Sequence, residues 1–296
     1  MIRDEGSLDP VYLSGRARDL WTAADGRATE LGAAGLSATI EMVARVIRHV
    51  DVTPPVPALA HLSGAPAMSG FRAAADRAAP DLRQTRDLRY TLLDDVPVAT
   101  LISGHALSAS GLLGDVAKSG YLPVADQCAG FATGGLLMTS FEAGDPAVVT
   151  GPQAPDLDHS DDPLAWHEVS QLPRYGMRRR RRIDIFEEIP ERIGIDAMFR
   201  DTYVRGDDVE TIIHEYTLMA VVDATTGVIL ESHATPRVLP WQECPGAVAS
   251  AERITGMTLK ELHFRVRREL FGTSTCTHLN DLLRSVADTE ALMTWL

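Results

Sequence analysis

Apolar and polar positions alternate most regularly in the second half of the chain, with a period of two. On that pattern Arg181 to Glu188 and Arg192 to Val204 read as strands. Glu210 to Asp223 and Gly227 to Ala234 read as a further pair, joined at DATTG. The alternation breaks at TPRVLPWQECPG. Beyond the break, Ala247 to Thr255 reads as helical and stops at Gly256, a usual C-terminal signal. Leu259 to Leu270 is amphipathic, with Leu262, Val266 and Leu270 on one stripe. A last helix starting near Thr275 carries Asn280 to Ala287. In the first half, Leu36 to Val50 is rich in β-branched residues and predicts a strand or strand pair, closed by Thr53-Pro54-Pro55-Val56-Pro57. Short helices are expected over Pro57 to Leu62 and Gly70 to Ala79, and Tyr90 to Ser103 reads as a helix followed by a strand.

The two halves echo each other. Val46-Ile47 precedes Thr53-Pro54-Pro55-Val56 by the offset that separates Val228-Ile229 from Thr235-Pro236-Arg237-Val238. Phe71-Arg72 parallels Phe264-Arg265, and Thr91-Leu92-Leu93-Asp94-Asp95 parallels Thr277-His278-Leu279-Asn280-Asp281. The prediction is an α+β fold of two related antiparallel sheet-plus-helix units, an internal duplication. The expected domains are an N-terminal α+β unit (1–103), a Gly/Ala-rich insertion with an acidic Pro-rich linker (104–165), and a C-terminal α+β unit (166–296). Chemistry is expected in the C-terminal unit. It alone has the WQECP segment, and it has Cys276 and His278 where the first copy has Tyr90 and Leu92.

Composition narrows the classes. The chain has 296 residues, 45% of them hydrophobic, enough for a large core. A net charge of −13 argues against whole-surface nucleic-acid binding. Three cysteines cannot build a disulfide framework, which points to a reducing cytoplasm. MIRDEGSLDP has no apolar signal-peptide core, and no run of about 18 apolar residues occurs, so no membrane span is expected.

Several residues can carry chemistry. Cys276 and His278 lie in GTSTCTHLND, where a helix begins; amides there favour an anion or thiolate. Cys244 sits in the Pro-bounded loop, and Cys128, in DQCAGF, offers a further sulfur. Thiolates and imidazole suit zinc or iron, although no CxxC pair is present and buried cysteines are often only small core residues. His214 and Tyr216 share one face of a predicted strand and Glu215 takes the other, so His214 could act as an acid or base with Tyr216 assisting. Arg178 to Arg182 forms a run of five arginines. Alternation sends them to opposite faces, so two or three, such as Arg178, Arg180 and Arg182, could meet one carboxylate or phosphate. Arg237 and Arg200-Asp201 could extend that pocket. Trp241 and Glu243, beside Cys244, fit either a substrate-facing lid or a loop anchored by a buried indole. HExxH, GxGxxG after a strand, Walker and GxSxG motifs are absent from the sequence.

RRRRRID, FRDTYVRGDDVETIIHEYT, TPRVLPWQECPGA and GTSTCTHLNDLLRS together resemble a bacterial family catalogued as domain of unknown function 2889. GRARDL, SGFRAA and LLDDVPVATLISGHA also resemble it. That resemblance implies no activity and transfers no catalytic residue. VILESHATPRVLPWQECPGAVASAERITGMTL is similar in layout to NifU- and SufE-type iron–sulfur assembly proteins, where Cys244 and Cys276 would match scaffold cysteines. No cysteine here follows the opening strands to match their first one.

The leading expectation is a cytoplasmic enzyme, of lyase or hydrolase type, acting on a small aromatic or acyl acid. The arginines and the helix start at Cys276 would hold the anion, His214 or His278 would move a proton, and Tyr216 or Glu243 would assist. The alternatives are a zinc or iron–sulfur scaffold on Cys244, Cys276, His278 and Cys128, and a noncatalytic partner subunit. The expected partners are the small anionic substrate and a second copy in a homodimer, not nucleic acid or membrane.

Overall fold

Among the described residues, each strand of a sheet pairs only with its neighbours in sequence. Among the described residues two separate antiparallel sheets form, each of four strands in sequential order. The structure, a computed structural model, describes residues 1–112, 123–145, 148–157 and 162–296. The chain divides into two compact units, Met1–Ala106 with Pro155–Met177, and Leu107–Ala154 with Arg178–Thr294.

In the first unit the sheet consists of β1 (Ile2–Arg3), β2 (Val11–Thr22), β3 (Ala28–Glu41) and β4 (Val46–Thr53). A 3-10 turn (Pro57–Leu62) and helices α1 (Phe71–Ala78), α2 (Pro80–Gln84) and α3 (Leu88–Ala109) follow. Val11, Leu13, Leu36, Ile40, Phe71 and Leu93 build the core. The helix-then-strand expectation for Tyr90 to Ser103 is corrected. One helix runs through Pro97, and the β-branched run beyond it buries Val98 and Ile102 from that helix. β1 and β2 escaped the sequence reading because β2 is half-polar and carries Gly15 and Ala17 where large apolar residues would mark a core face.

The second unit repeats the plan. Its sheet is β5 (Met177–Ile189), β6 (Arg192–Val204), β7 (Glu210–Asp223) and β8 (Ile229–Val238). A 3-10 helix (Cys244–Ile254), α5 (Leu259–Glu269), α6 (Thr277–Ser285) and the short α7 (Thr289–Leu292) follow, and α4 (Leu136–Ala143) lies earlier in the chain. α5 opens on a Thr258–Glu261 capping box and buries Leu262 and Val266, as its stripe predicts. Of the expected insertion and linker, residues 113–122, 146–147 and 158–161 lie outside the described residues. Residues 152–154 are pinned to β7. Ile212 donates its amide to Pro152, and Ala154 to Glu210, both at 2.9 Å.

The repeat is visible in the registers. β2 and β3 slip at Asp19/Leu20, and β6 and β7 slip at Asp201/Thr202. β3 and β4 slip at Thr39/Ile40, and β7 and β8 at Val221/Val222. All these landmarks are related by one constant spacing. The same spacing aligns the pairs Ile40–Ile47 and Val222–Ile229. The turn after each fourth strand is also shared. Gly64 donates to Ile47 at 2.7 Å and Ala67 to Arg45 at 2.8 Å, while Gly256 donates to Ile229 at 2.8 Å and Leu259 to Gly227 at 2.9 Å. Counting on from these bonds pairs Phe71 with His263, both buried, and not with Phe264, which is 56% exposed. The sequence parallel of Phe71 with Phe264 is therefore off by one residue.

Gly64 and Gly256 have φ of +81° and +82°, with open space where a Cβ would stand. An alanine there meets no neighbour but pays for left-handed backbone. Gly64→Ala and Gly256→Ala should each destabilise by about 1–2 kcal/mol, read from urea unfolding. A silent Gly64→Ala beside a costly Gly256→Ala would show that the two turns are not equivalent.

Candidate functional site

The inward face of the second sheet is apolar along most of its length. Ile193, Ile195, Ala197 and Phe199 of β6 lie beside Tyr216, Leu218, Ala220 and Val222 of β7, all buried. Continuing the same alternation one step further places Asp201 and His214 on that face. They are direct cross-strand partners, at the residue before the β6–β7 slip. His278, in the first turn of α6, reaches the same end of the sheet. Its ring stacks on that of His214, with centroids 3.6 Å apart and planes 20° apart.

Ion pairs hold this end of the core. Arg179 from β5 grips Asp201 through both nitrogens of its fork, Nε to Oδ1 at 2.7 Å and Nη2 to Oδ2 at 2.8 Å. Its Nη1 donates to Asp281 Oδ2 at 2.9 Å. Arg284, one turn further along α6, closes on Asp281 from the other side. All four side chains are at most 7% exposed. Asp201 Oδ2 also lies 3.6 Å from His214 Nδ1. His278 Nε2 is buried without a hydrogen-bond partner. Burial is the main reason His278 is held neutral, with the Arg179 charge adding to it; its pKa falls from 6.5 to about 3, against a smaller opposing pull from Asp281.

One ligand atom from each of Asp201, His214 and His278 can be chosen so that all three lie within 4.8 Å of one another. Among the described residues this is the one group of three or more His, Cys, Asp or Glu with that property. The remaining expected site residues lie elsewhere or are held differently. Tyr216 is fully buried, its ring 5.7 Å from Phe199. Burial drives its hydroxyl pKa well above the ordinary phenol value, with Cys276 alongside it. Cys128, Cys244 and Cys276 are buried free thiols outside the three-ligand group. Burial pushes Cys244 up to about 11 and Cys276 up to about 12, outweighing the α6 amides of Leu279 and His278 that face the Cys276 sulfur. Glu243 Oε1 accepts the Leu136 amide at 2.7 Å and so fastens the start of α4. Trp241 packs beside Gly130.

Among the arginines, Arg178 pairs with Glu210 at 3.1 Å, Arg182 with Asp184 at 2.6 Å, and Arg237 donates to Thr217 at 3.2 Å. Arg180 lies half-buried on the same strand. The arginine that enters the site is Arg179, which the sequence reading passed over. Asp201 was noted there only as an extension of an anion pocket, and Asp281 and Arg284 were not assigned roles. The available signal was the alternation from Phe199 to Asp201 on the core face of β6.

A family model described as "Protein of unknown function (DUF2889)" matches residues 177–292. That stretch, less than half of the chain, is similar to the family. The match begins at the first residue of β5 and ends at the last residue of α7, so the DUF2889 segment contains every group of the site. The N-terminal motifs that resemble the family lie outside the matched segment. No curated protein and no solved structure matches the chain, and the layout likeness to NifU- and SufE-type proteins has no finding behind it.

Removing the cation from a buried carboxylate leaves a charge with no compensation, at a cost of about 3–5 kcal/mol. Arg179→Met should lose that much in chemical denaturation, while Arg182→Met, on a partly exposed pair, should change stability by about 0–1 kcal/mol. Equal small effects would show that Arg179 is not anchoring the network. The His278 shift sets a pH dependence. Above pH 6.5 the ring is neutral folded and unfolded; below it the unfolded chain takes up a proton that the fold excludes. Stability of chelator-treated protein should therefore fall as pH drops from 6.5 toward 3, His278 contributing up to about 1.4 kcal/mol per pH unit. His278→Gln should flatten that part of the profile, and an unchanged slope would contradict it.

Proposed function

We propose that the C-terminal unit is a metal-dependent enzyme domain in which Asp201, His214 and His278 hold a divalent transition-metal ion, zinc or iron, and act on a small organic acid. The observation that carries this reading is the gathering of one carboxylate and two imidazoles, from three separate elements, at a buried end of the core. Two histidines and one carboxylate form a donor set that zinc and non-haem iron accept with coordination positions left open. The Arg179 fork does not exhaust Asp201, because an ionised carboxylate offers about four lone-pair directions and the fork takes two. Arg179 fits the role of an outer partner that orients a ligating carboxylate. The buried Nε2 of His278, with no hydrogen-bond partner, fits a nitrogen that awaits a ligand.

This reading uses the two histidines as ligands instead of proton carriers. Burial between Arg179 and the core disfavours the imidazolium that acid–base work by His278 needs. It also favours the imidazoles over the cysteines as donors. A high thiol pKa keeps sulfur protonated, and a thiol must lose its proton to bind.

The test is elemental analysis of tag-free protein purified without chelator and then offered zinc or ferrous iron. About one metal per chain is expected, falling to background in Asp201→Asn and His278→Ala and persisting in Cys244→Ser and Cys276→Ser. Metal-free protein after both additions, or metal lost with the cysteines instead of the histidine, would overturn the assignment.

A further inference from the structure

A neutral imidazole carries one N–H and one lone pair, and which nitrogen has which decides where a metal can attach. The two nitrogens of His278 have unequal surroundings. Nε2 is buried and has no hydrogen-bond partner. Nδ1 lies 3.4 Å from Oγ1 of Thr277, the residue before it. Among the described residues this is the one hydrogen bond that either nitrogen makes.

Two proton arrangements satisfy that contact. In the first, the Thr277 hydroxyl donates to Nδ1 and the ring proton sits on Nε2, where a buried N–H finds no acceptor. In the second, Nδ1–H donates to Oγ1 and Nε2 keeps its lone pair. The second leaves no ring donor orphaned, and buried N–H groups without an acceptor are rarer than under-used acceptors. It also suits the hydroxyl. Thr277 is only partly buried, so its own proton is free to point to water. Thr277 and His278 are the first two residues of α6, so the helix start carries the hydroxyl and the ring together. In the sequence echo a threonine, Thr91, also precedes Leu92. The threonine is thus common to both copies, and the ring it contacts is present in the second alone.

Resting on the metal reading above, we infer that Thr277 is a positioning residue: its Oγ1 accepts the Nδ1 proton of His278, which presents the Nε2 lone pair to the metal. The ligand atom of His278 is then Nε2 and not Nδ1. A partner on the far nitrogen fixes the tautomer and orientation of a ligating histidine, and losing it lowers metal affinity about 10–100-fold.

The experiment reads the tautomer directly. Imidazole nitrogen shifts and long-range nitrogen–proton couplings are recorded by NMR on the metal-free full chain at neutral pH, and His278→Gln identifies the His278 signals. A protonated Nδ1 and a bare Nε2 are expected. Thr277→Ser, which keeps the hydroxyl, should preserve that pattern. Thr277→Val, which keeps the shape without the hydroxyl, should move the proton toward Nε2. Zinc affinity, measured by competition with a chromophoric chelator, should fall about tenfold or more in Thr277→Val and change little in Thr277→Ser. A protonated Nε2 in the unsubstituted chain overturns the inference whatever the metal does, and that reading needs no variant to fold. Tautomer and zinc affinity both unchanged in Thr277→Val overturn it as well. Failure of the unsubstituted chain to bind zinc or ferrous iron overturns the metal reading and the ligand role of Nε2 with it, while the tautomer still decides the Thr277 hydrogen bond.

Discussion

The second unit depends on one electrostatic constraint, a carboxylate with no solvent exposure at the end of an apolar sheet face. Asp201 occupies a position where the alternation of β6 calls for a core residue. An isolated charge there is untenable, so the fold supplies Arg179 from the neighbouring strand. Arg179 in turn draws in Asp281, and Asp281 draws in Arg284, which ties the edge of the sheet to α6. That tie positions the first turn of α6 and therefore His278 against His214. Replacing such a network by apolar side chains often costs nothing or gains stability, so fold stability alone does not account for it.

The internal repeat gives an independent view of the same position. Asp201 and His214 face each other before the second unit's slip, and Asp19 and Gly32 face each other at the equivalent slip in the first. In the sequence echo of TLLDD and THLND, Leu92 stands where the second copy has His278, and Asp95 where it has Asp281. The backbone device, a strand slip with an aspartate before it, is common to both copies. The imidazoles are confined to the second. The slip therefore belongs to the architecture of the fold, and the two histidines are what one copy adds to it. Their addition falls wholly within the segment that matches DUF2889.

Much of this architecture was legible in the sequence because burial on one face imposes alternation. β6, β7 and the stripe of α5 follow that rule and match their expected limits, whereas β8 runs four residues past the expected end at Ala234, through Thr235-Pro236 to Val238. The repeat was legible from Thr-Pro pairs and the TLLDD and THLND echoes, although only the registers fix the alignment. His214 and His278 could be singled out by residue type. Arg179 could not, because five consecutive arginines carry no internal clue to which faces inward; pairing with β6 decides it. The cysteines attracted attention as metal donors for the same chemical reason that hides them, since a small polarisable side chain suits a core as well as a metal. Tyr216 followed the same logic, its position on the right face of β7 making it part of the packing under Phe199.

The account's central claim is that nitrogen and oxygen donors, not sulfur, form the functional centre. X-ray absorption at the zinc edge of the zinc-loaded protein tests it most directly. The account predicts a first shell of nitrogen and oxygen scatterers at about 2.0–2.2 Å, with the multiple scattering of two imidazoles. A sulfur shell at about 2.3 Å would contradict it and return the centre to the cysteines.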